Sequence, residues 1–189
     1  MDNEICNDVE LIGIFTKELE YSHDSFGEKF YKGILSIRRQ SGTYDNIIVM
    51  ISEYMIPDVY LNRMVKINGD FRSYNDEHRH VRLSVLVKNI ELTDEDFSNK
   101  IYLRGYICKE PIYRSTPKGR LICDIYLAVN RCYSKSDYIP CICWGRNATK
   151  MAGAHIGTLV VLCGRIQSRE YIKEEISHTA YEVSVINII

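Results

Sequence analysis

Apolar and polar residues alternate with a period of two along most of this chain, in runs such as VELIGIF, FYKGILSIR, NIIVMIS, MVKINGDFRS and HVRLSVLVKNIEL. That period puts successive side chains on opposite faces of an extended strand, so each run predicts a β-strand with one buried face. A parallel series follows in the second half: IYLRGYI, LICDIYLAVNR, YIPCICW, TLVVLCGRIQS and AYEVSVINII. Gly-containing turns, SFGEK and TPKGR, break each series after its first strand. More irregular stretches, EYMIPDVYLNRM and GRNATKMAGAHIG, follow the third strands and leave room for a short helix in each half.

The two series are one unit written twice. A shift of 92 positions lines up Leu11 with Leu103, Gly13 with Gly105, Tyr21 with Tyr113, Leu35 with Leu127, Arg39 with Arg131, Asp45 with Asp137 and Ile47 with Ile139. Further on the offset grows, and GDFRS at Gly69–Ser73 pairs with GRIQS at Gly164–Ser168. A period this long, seen twice, marks duplicated domains, because solenoid repeats are shorter and more numerous. The acidic segment LTDEDFSNK is the expected linker, giving domains over 1–93 and 99–189. Five strands per unit with a helix after the third is the strand plan of an OB-fold, although periodicity alone leaves other five-stranded barrels open. The expected fold class is thus all-β, two tandem five-stranded barrels with a short helix in each, and their identity as OB-folds rests on the motifs.

Composition narrows the setting. Of 189 residues, 46% are apolar, enough for packed cores. The N-terminus MDNEICNDVE has neither a basic region nor an apolar run, and no stretch is apolar for the ~18 residues a spanning helix needs. Seven cysteines in no framework spacing predict a reducing, cytoplasmic setting without a metal centre. The net charge of −1 hides an asymmetry: residues 1–96 hold 11 Lys and Arg against 18 Asp and Glu, residues 97–189 hold 13 against 7. A basic half beside an acidic one suggests that it meets a polyanion, or that the halves attract each other.

In the second half, DYIPCICWGRNATK carries the chain's single tryptophan. Alternation puts Ile139, Cys141 and Cys143 on one face of this strand, and Tyr138, Pro140, Ile142 and Trp144 on the other. The second set is either a further buried face or a surface on which flat ligands stack. The segments LRGYICKEPIYRSTPKGRLICDIYLAVNR, YIPCICWGRNA and GTLVVLCGRIQSREY are similar, in order and spacing, to the single-stranded DNA-binding proteins of bacteria. This resemblance covers Ile101 to about Ile188 and extends weakly to the first unit through the repeat. It implies an OB-fold that stacks unpaired bases on rings while basic residues track the phosphates.

By that resemblance the stacking positions fall on Tyr133, Tyr138, Trp144 and Tyr171, all aromatic here. The basic set interleaved with them comprises Arg114, Lys118, Arg120, Arg131, Arg146, Arg165 and Arg169. The expected partner is single-stranded DNA. The family's habit of gathering four barrels implies a homodimer of this two-barrel chain. Family members also carry a tail with an acidic tip that recruits replication proteins. This sequence stops at VINII, so recruitment of that kind is not expected.

The first unit departs from the pattern. The repeat offset sets Ser41 at Tyr133, Asn46 at Tyr138 and Ser52 at Trp144, with Tyr44, Tyr54 and Tyr74 nearby but out of register. It is expected to act as scaffold. No Walker-type loop, GxSxG or HExxH occurs, so neither an enzyme nor a cofactor is expected. The alternative is a primosome-like module whose exposed rings bind a replication protein.

Overall fold

The computed structural model describes residues 6–76, 80–131, 135–173 and 176–189, with 172, 173 and 176–178 described in backbone only. It divides into two compact units: Val9–Lys100, and Ile101–Ile189 together with the segment preceding Val9.

The first unit is built from β1 (Asn7–Phe15), β2 (Glu20–Ser25), β3 (Glu28–Arg38), β4 (Tyr44–Ser52), β5 (Met64–Asn75) and β6 (Val81–Leu92). β1 pairs antiparallel with both β3 and β5, β3 with β4, and β5 with β6, while β4 and β6 run parallel. These pairings close a five-stranded barrel, with β2 as an added strand on the edge of β3. The second unit repeats the circuit with β7 (Ser98–Ile107), β8 (Ile112–Ser115), β9 (Leu121–Asn130), β10 (Ser136–Trp144), β11 (Leu159–Lys173) and β12 (Ile176–Ile188). Here β7 pairs with β9 and β11, β9 with β10, β11 with β12, and β10 runs parallel to β12, while β8 lies on β9.

Two details differ from the expectation. Each barrel has a sixth short strand, because the arm of its first hairpin pairs along its neighbour instead of remaining a loop. The short helix forms only in the second unit, as α1 (Arg146–Met151), whereas the first has a single 3-10 turn at Glu53–Met55. Pro57 accounts for the difference: its ring disfavours helical backbone at the preceding residue, and Ile56 is extended at φ −71° and ψ 119°.

Alternation sorts side chains as a small closed barrel requires. In β9 and β10 the inward set Cys123, Ile125, Leu127, Val129, Ile139, Cys141 and Cys143 is at most 2% exposed. Both barrels turn their fourth and fifth strands at a β-bulge, between Asn68 and Gly69 and between Cys163 and Gly164. A Cβ on Gly69 would lie 2.2 Å from the Leu86 carbonyl oxygen, and one on Gly164 2.5 Å from that of Ser184, so only glycine lets these strands approach.

The repeat also carries a charged clamp. Arg39 Nε donates to Asp45 Oδ2 at 2.8 Å and Arg131 Nε to Asp137 Oδ2 at 2.7 Å, and in each pair Nη2 donates to the second carboxylate oxygen. The aspartates are 1% and 0% exposed, and each buried carboxylate is engaged by a fork-shaped guanidinium. Each clamp ties the end of one strand to the start of the next across a hairpin. Asp45 holds the guanidinium of Arg39 in its charged form above the ordinary arginine value.

The segment between the repeated units is held by the first of them. Thr93 N donates to the Met64 carbonyl at 3.1 Å, Lys66 Nζ meets Glu95 at 3.0 Å, Lys100 Nζ meets Glu10 at 2.8 Å, and Phe97 packs edge-on against Tyr44 with ring centroids 6.4 Å apart.

Arg131→Met strands a fully buried carboxylate and is expected to cost about 3 kcal/mol or more, with Arg39→Met doing the same in the first barrel. Urea denaturation followed by circular dichroism measures both losses. The buried thiols give a second expectation, because burial holds Cys141 well above the ordinary thiol value and pushes Cys143 up to about 12. The folded chain therefore keeps protons that the unfolded chain releases above pH ~8.5, and stability falls as pH rises beyond that point. At pH 8, iodoacetamide should modify the partly exposed Cys6 and Cys108 and spare Cys141 and Cys143 until the protein is unfolded.

Candidate nucleic-acid interface

The outer face of the second barrel is laid out by register. Directly opposed residues in antiparallel strands share a face, so the pairs Trp144 with Ile122, Ile142 with Asp124, Pro140 with Tyr126 and Tyr138 with Ala128 form successive rows across β10 and β9. β8 extends the first two rows with Arg114 opposite Ile122 and Ile112 opposite Asp124. β7 extends the last with Tyr106 opposite Ala128.

Trp144 is 38% exposed and Tyr138 50%, about 20 Å apart along β10. Both stand outward, as alternation predicts. Ile142, on the same face, is only 7% exposed and shares its row with Asp124, which Arg114 engages. Tyr171, 43% exposed, lies near the end of β11, whose fifteen residues form a hairpin with β12. Tyr133 lies outside the described residues.

The expected basic residues fall into three groups. Arg165 and Arg169 are exposed on β11, at alternate positions that also include Gln167 and Tyr171, so all four side chains leave one face of the strand. Lys118 and Arg120 stand on the β8–β9 hairpin, whose turn is closed by Gly119 N to Thr116 O at 2.8 Å and Arg120 N to Thr116 Oγ1 at 3.0 Å. Arg146, also exposed, opens α1 just after Trp144. None of these makes an ion pair among the described residues. Arg114 is shared with Asp124 at 2.8 Å, an exposed pair of small worth that leaves its charge accessible. Arg131 is directed onto Asp137, so a phosphate would have to compete with the clamp.

Two exposed rings were missed from the sequence. Tyr126, 37% exposed, lies in the row between Trp144 and Tyr138, with Lys109 Nζ 4.3 Å from its ring centroid. Tyr106 is 41% exposed on β7. Alternation within each strand already turned both outward; what it could not supply was the cross-strand register that brings them beside Tyr138.

The same positions in the first barrel carry different chemistry. Ser52, in the place of Trp144, is 1% exposed and donates to Glu28 while accepting from the Tyr54 N–H at 3.3 Å. Asn46, in the place of Tyr138, accepts from Ser36 Oγ at 2.9 Å. The bulge alignment sets Asp70 where the second barrel has Arg165; it is 3% exposed and binds both Arg72 and Lys88, the latter at 2.6 Å. Asp76 stands where the second barrel has Tyr171, and it binds Arg82 at 2.8 Å. Exposed rings remain there, Tyr44 at 51%, Tyr54 at 78% and Tyr74 at 40%, and Arg38 stands opposite Tyr44 across β3 and β4, but β4 lacks the pair of outward rings that Tyr138 and Trp144 form on β10. Among the described residues no helix is long and apolar enough to cross a membrane, and no cluster of side chains could hold a metal ion.

Comparison with known proteins follows the same division. The single-strand binding protein family model matches residues 98–188. Single-stranded DNA-binding protein B of Bacillus subtilis is 36% identical over 84 residues, covering 41% of this chain and 74% of that protein. The single-stranded DNA-binding protein of Enterococcus faecalis is 36% identical and single-stranded DNA-binding protein A of B. subtilis 33%; the match spans about half of their lengths, 45% and 49%. In fold the likeness extends to both barrels: the wild-type single-stranded DNA binding protein from Thermus aquaticus superposes with a TM-score of 0.79 over 97% of this chain and 91% of its own, at 17% identity. With the barrel circuit, the motif order and the matched second half in agreement, this chain belongs to the single-strand binding protein family.

Proposed function

We propose that the second barrel binds single-stranded DNA without regard to sequence, stacking bases on Trp144, Tyr138 and Tyr171 while Lys118, Arg120, Arg146, Arg165 and Arg169 track the phosphates. The observation that carries this is the contrast between equivalent positions. Where the first barrel has a buried serine and a hydrogen-bonded asparagine, the second has exposed rings, and where the first has Asp70 paired with Arg72 and Lys88, the second has Arg165 without an ion pair among the described residues. A ring contributes about 1–3 kcal/mol per stacked base and accepts any base, since each has a π-face. Each phosphate neutralised releases counterions, which makes the affinity fall as salt is added.

Within this assignment Arg131 holds the β9–β10 hairpin that leads into Tyr138, and Arg114 serves as a cation shared between Asp124 and the strand. Tyr133 sits in that hairpin by sequence and is kept as a platform on the family resemblance alone. The first barrel is a scaffold whose acidic character turns the polyanion toward the second. Two such chains as a homodimer would present four barrels to one strand, protecting it during replication, recombination or repair.

Titration with oligo-dT tests the assignment, since the emission of the single tryptophan reports on Trp144 directly. Strong quenching at low salt is expected, and the log–log salt slope should fall by about 0.7 in Arg165→Gln, the value of one phosphate contact on a single strand. Alanine at Tyr138 and Trp144 together should abolish binding at 0.15 M salt, measured with a dye-labelled oligonucleotide, whereas alanine at Tyr44 and Tyr54 should change it little. Unquenched emission, or equal losses from the two pairs, would remove the assignment; binding of a protein partner by the same rings would then be the remaining use for them.

A further inference from the structure

Tyr106, Ala128 and Tyr138 occupy one row of the outer face, contributed by β7, β9 and β10. The two tyrosines are 41% and 50% exposed, and the residue between them is the smallest side chain on the exterior of β9. Directly opposed Cα atoms in antiparallel strands are about 4.5–5.5 Å apart, so the tyrosines rise from points about 10 Å apart with a methyl group as the floor between them. A flat ring covered on both faces needs two van der Waals contacts of about 3.5 Å, or roughly 7 Å between its neighbours. The row therefore has the width for one base between two rings leaning toward each other.

Several features argue for a site over a chance pair of surface rings. The floor continues into Tyr126, two residues back on β9, where Lys109 Nζ lies 4.3 Å from the ring centroid and brings a cation within reach of the adjoining phosphate. Leu159 on β11 stands opposite Tyr106 on its other side, so Tyr106 has an apolar residue at its back. The equivalent row of the first barrel is Ile14, Ser36 and Asn46, in which Ser36 Oγ donates to Asn46 Oδ1 at 2.9 Å. The backbone register is the same in the two barrels, and in the first the row has neither ring nor open floor.

We propose that Tyr106 and Tyr138, over Ala128, form a slot that takes a single unpaired base between two rings, so that the bound strand continues from β10 across β9 onto β7. This rests on the assignment of the outer face to single-stranded DNA, but it adds a position on a strand outside that set and a double-sided contact where one ring alone would give a single-sided one.

Three variants test it, each paired with circular dichroism to confirm the fold; Tyr106 and Ala128 face outward, so the core is untouched. Tyr106→Leu removes one wall and Ala128→Leu fills the floor while leaving both walls. Each should weaken binding of a dye-labelled oligo-dT about 5- to 150-fold, the effect of one lost stacking contact, with an unchanged log–log salt slope because no phosphate contact is lost. In a Trp144→Phe background, the emission of Tyr106→Trp should be quenched by oligo-dT. Affinities of both leucine variants within twofold of the parent, or an unquenched emission, would overturn the slot. A loss in Tyr106→Leu with none in Ala128→Leu would also overturn it, leaving Tyr106 as a single-sided platform. If the parent's Trp144 is quenched while these variants are unaffected, the slot alone fails; if the parent does not bind, the slot and the assignment it rests on fail together.

Discussion

A closed five-stranded barrel commits every second side chain of each strand to its interior, and leaves the other half freer to vary. Both barrels here obey this constraint with the same devices: the same strand circuit, a bulge at Gly69 and at Gly164, and a buried aspartate gripped by the arginine six residues before it. The interior and the clamps are therefore held nearly fixed between the copies. The outer face is where they have diverged, and the divergence costs the fold little, because exchanging Trp144 for Ser52 or Arg165 for Asp70 alters no inward position.

In the proposed function, electrostatics divides the labour that this freedom allows. On the first barrel Asp70 gathers Arg72 and Lys88, and Asp76 takes Arg82, so these cations of β5 and β6 are already neutralised. On the second, Arg165 and Arg169 leave the same strand face as Tyr171 without a carboxylate partner among the described residues. A polyanion distinguishes these surfaces by the cations it can reach more than by their total number. In the proposed binding mode, stacking operates where the charge has brought the strand.

The repeat, the strand plan and the outward direction of Tyr138 and Trp144 were legible in the sequence because each depends on local alternation or on self-similarity. The single helix was not, since a stretch long enough to hold one also carries Pro57, which keeps Ile56 extended. Tyr106 and Tyr126 were missed for a different reason: their place in the face depends on which residue of β7 meets which residue of β9, and no local pattern states that register. Arg131 illustrates a further limit. Beside three other signals of a binding strand it reads as a phosphate contact, yet the buried carboxylate six residues later engages its guanidinium. The repeat held the clue, because Arg39 and Asp45 recur at the same spacing in a barrel without the platforms. The acidic segment after Leu92 reads as a linker by composition, and the packing of Phe97 on Tyr44 and the pairing of Lys66 with Glu95 that hold it to the first barrel are not visible in its composition.

That one barrel presents rings to bases while its twin does not can be tested without altering the protein. Oligonucleotides carrying 5-iodouracil, cross-linked by ultraviolet light and mapped by mass spectrometry of the digested chain, report which side chains lie against bases. Cross-links confined to peptides of the second barrel, at Trp144, Tyr138 and Tyr171, are the expected result. Adducts of comparable yield at Tyr44, Tyr54 or Tyr74 would contradict the division of labour derived from the two outer faces.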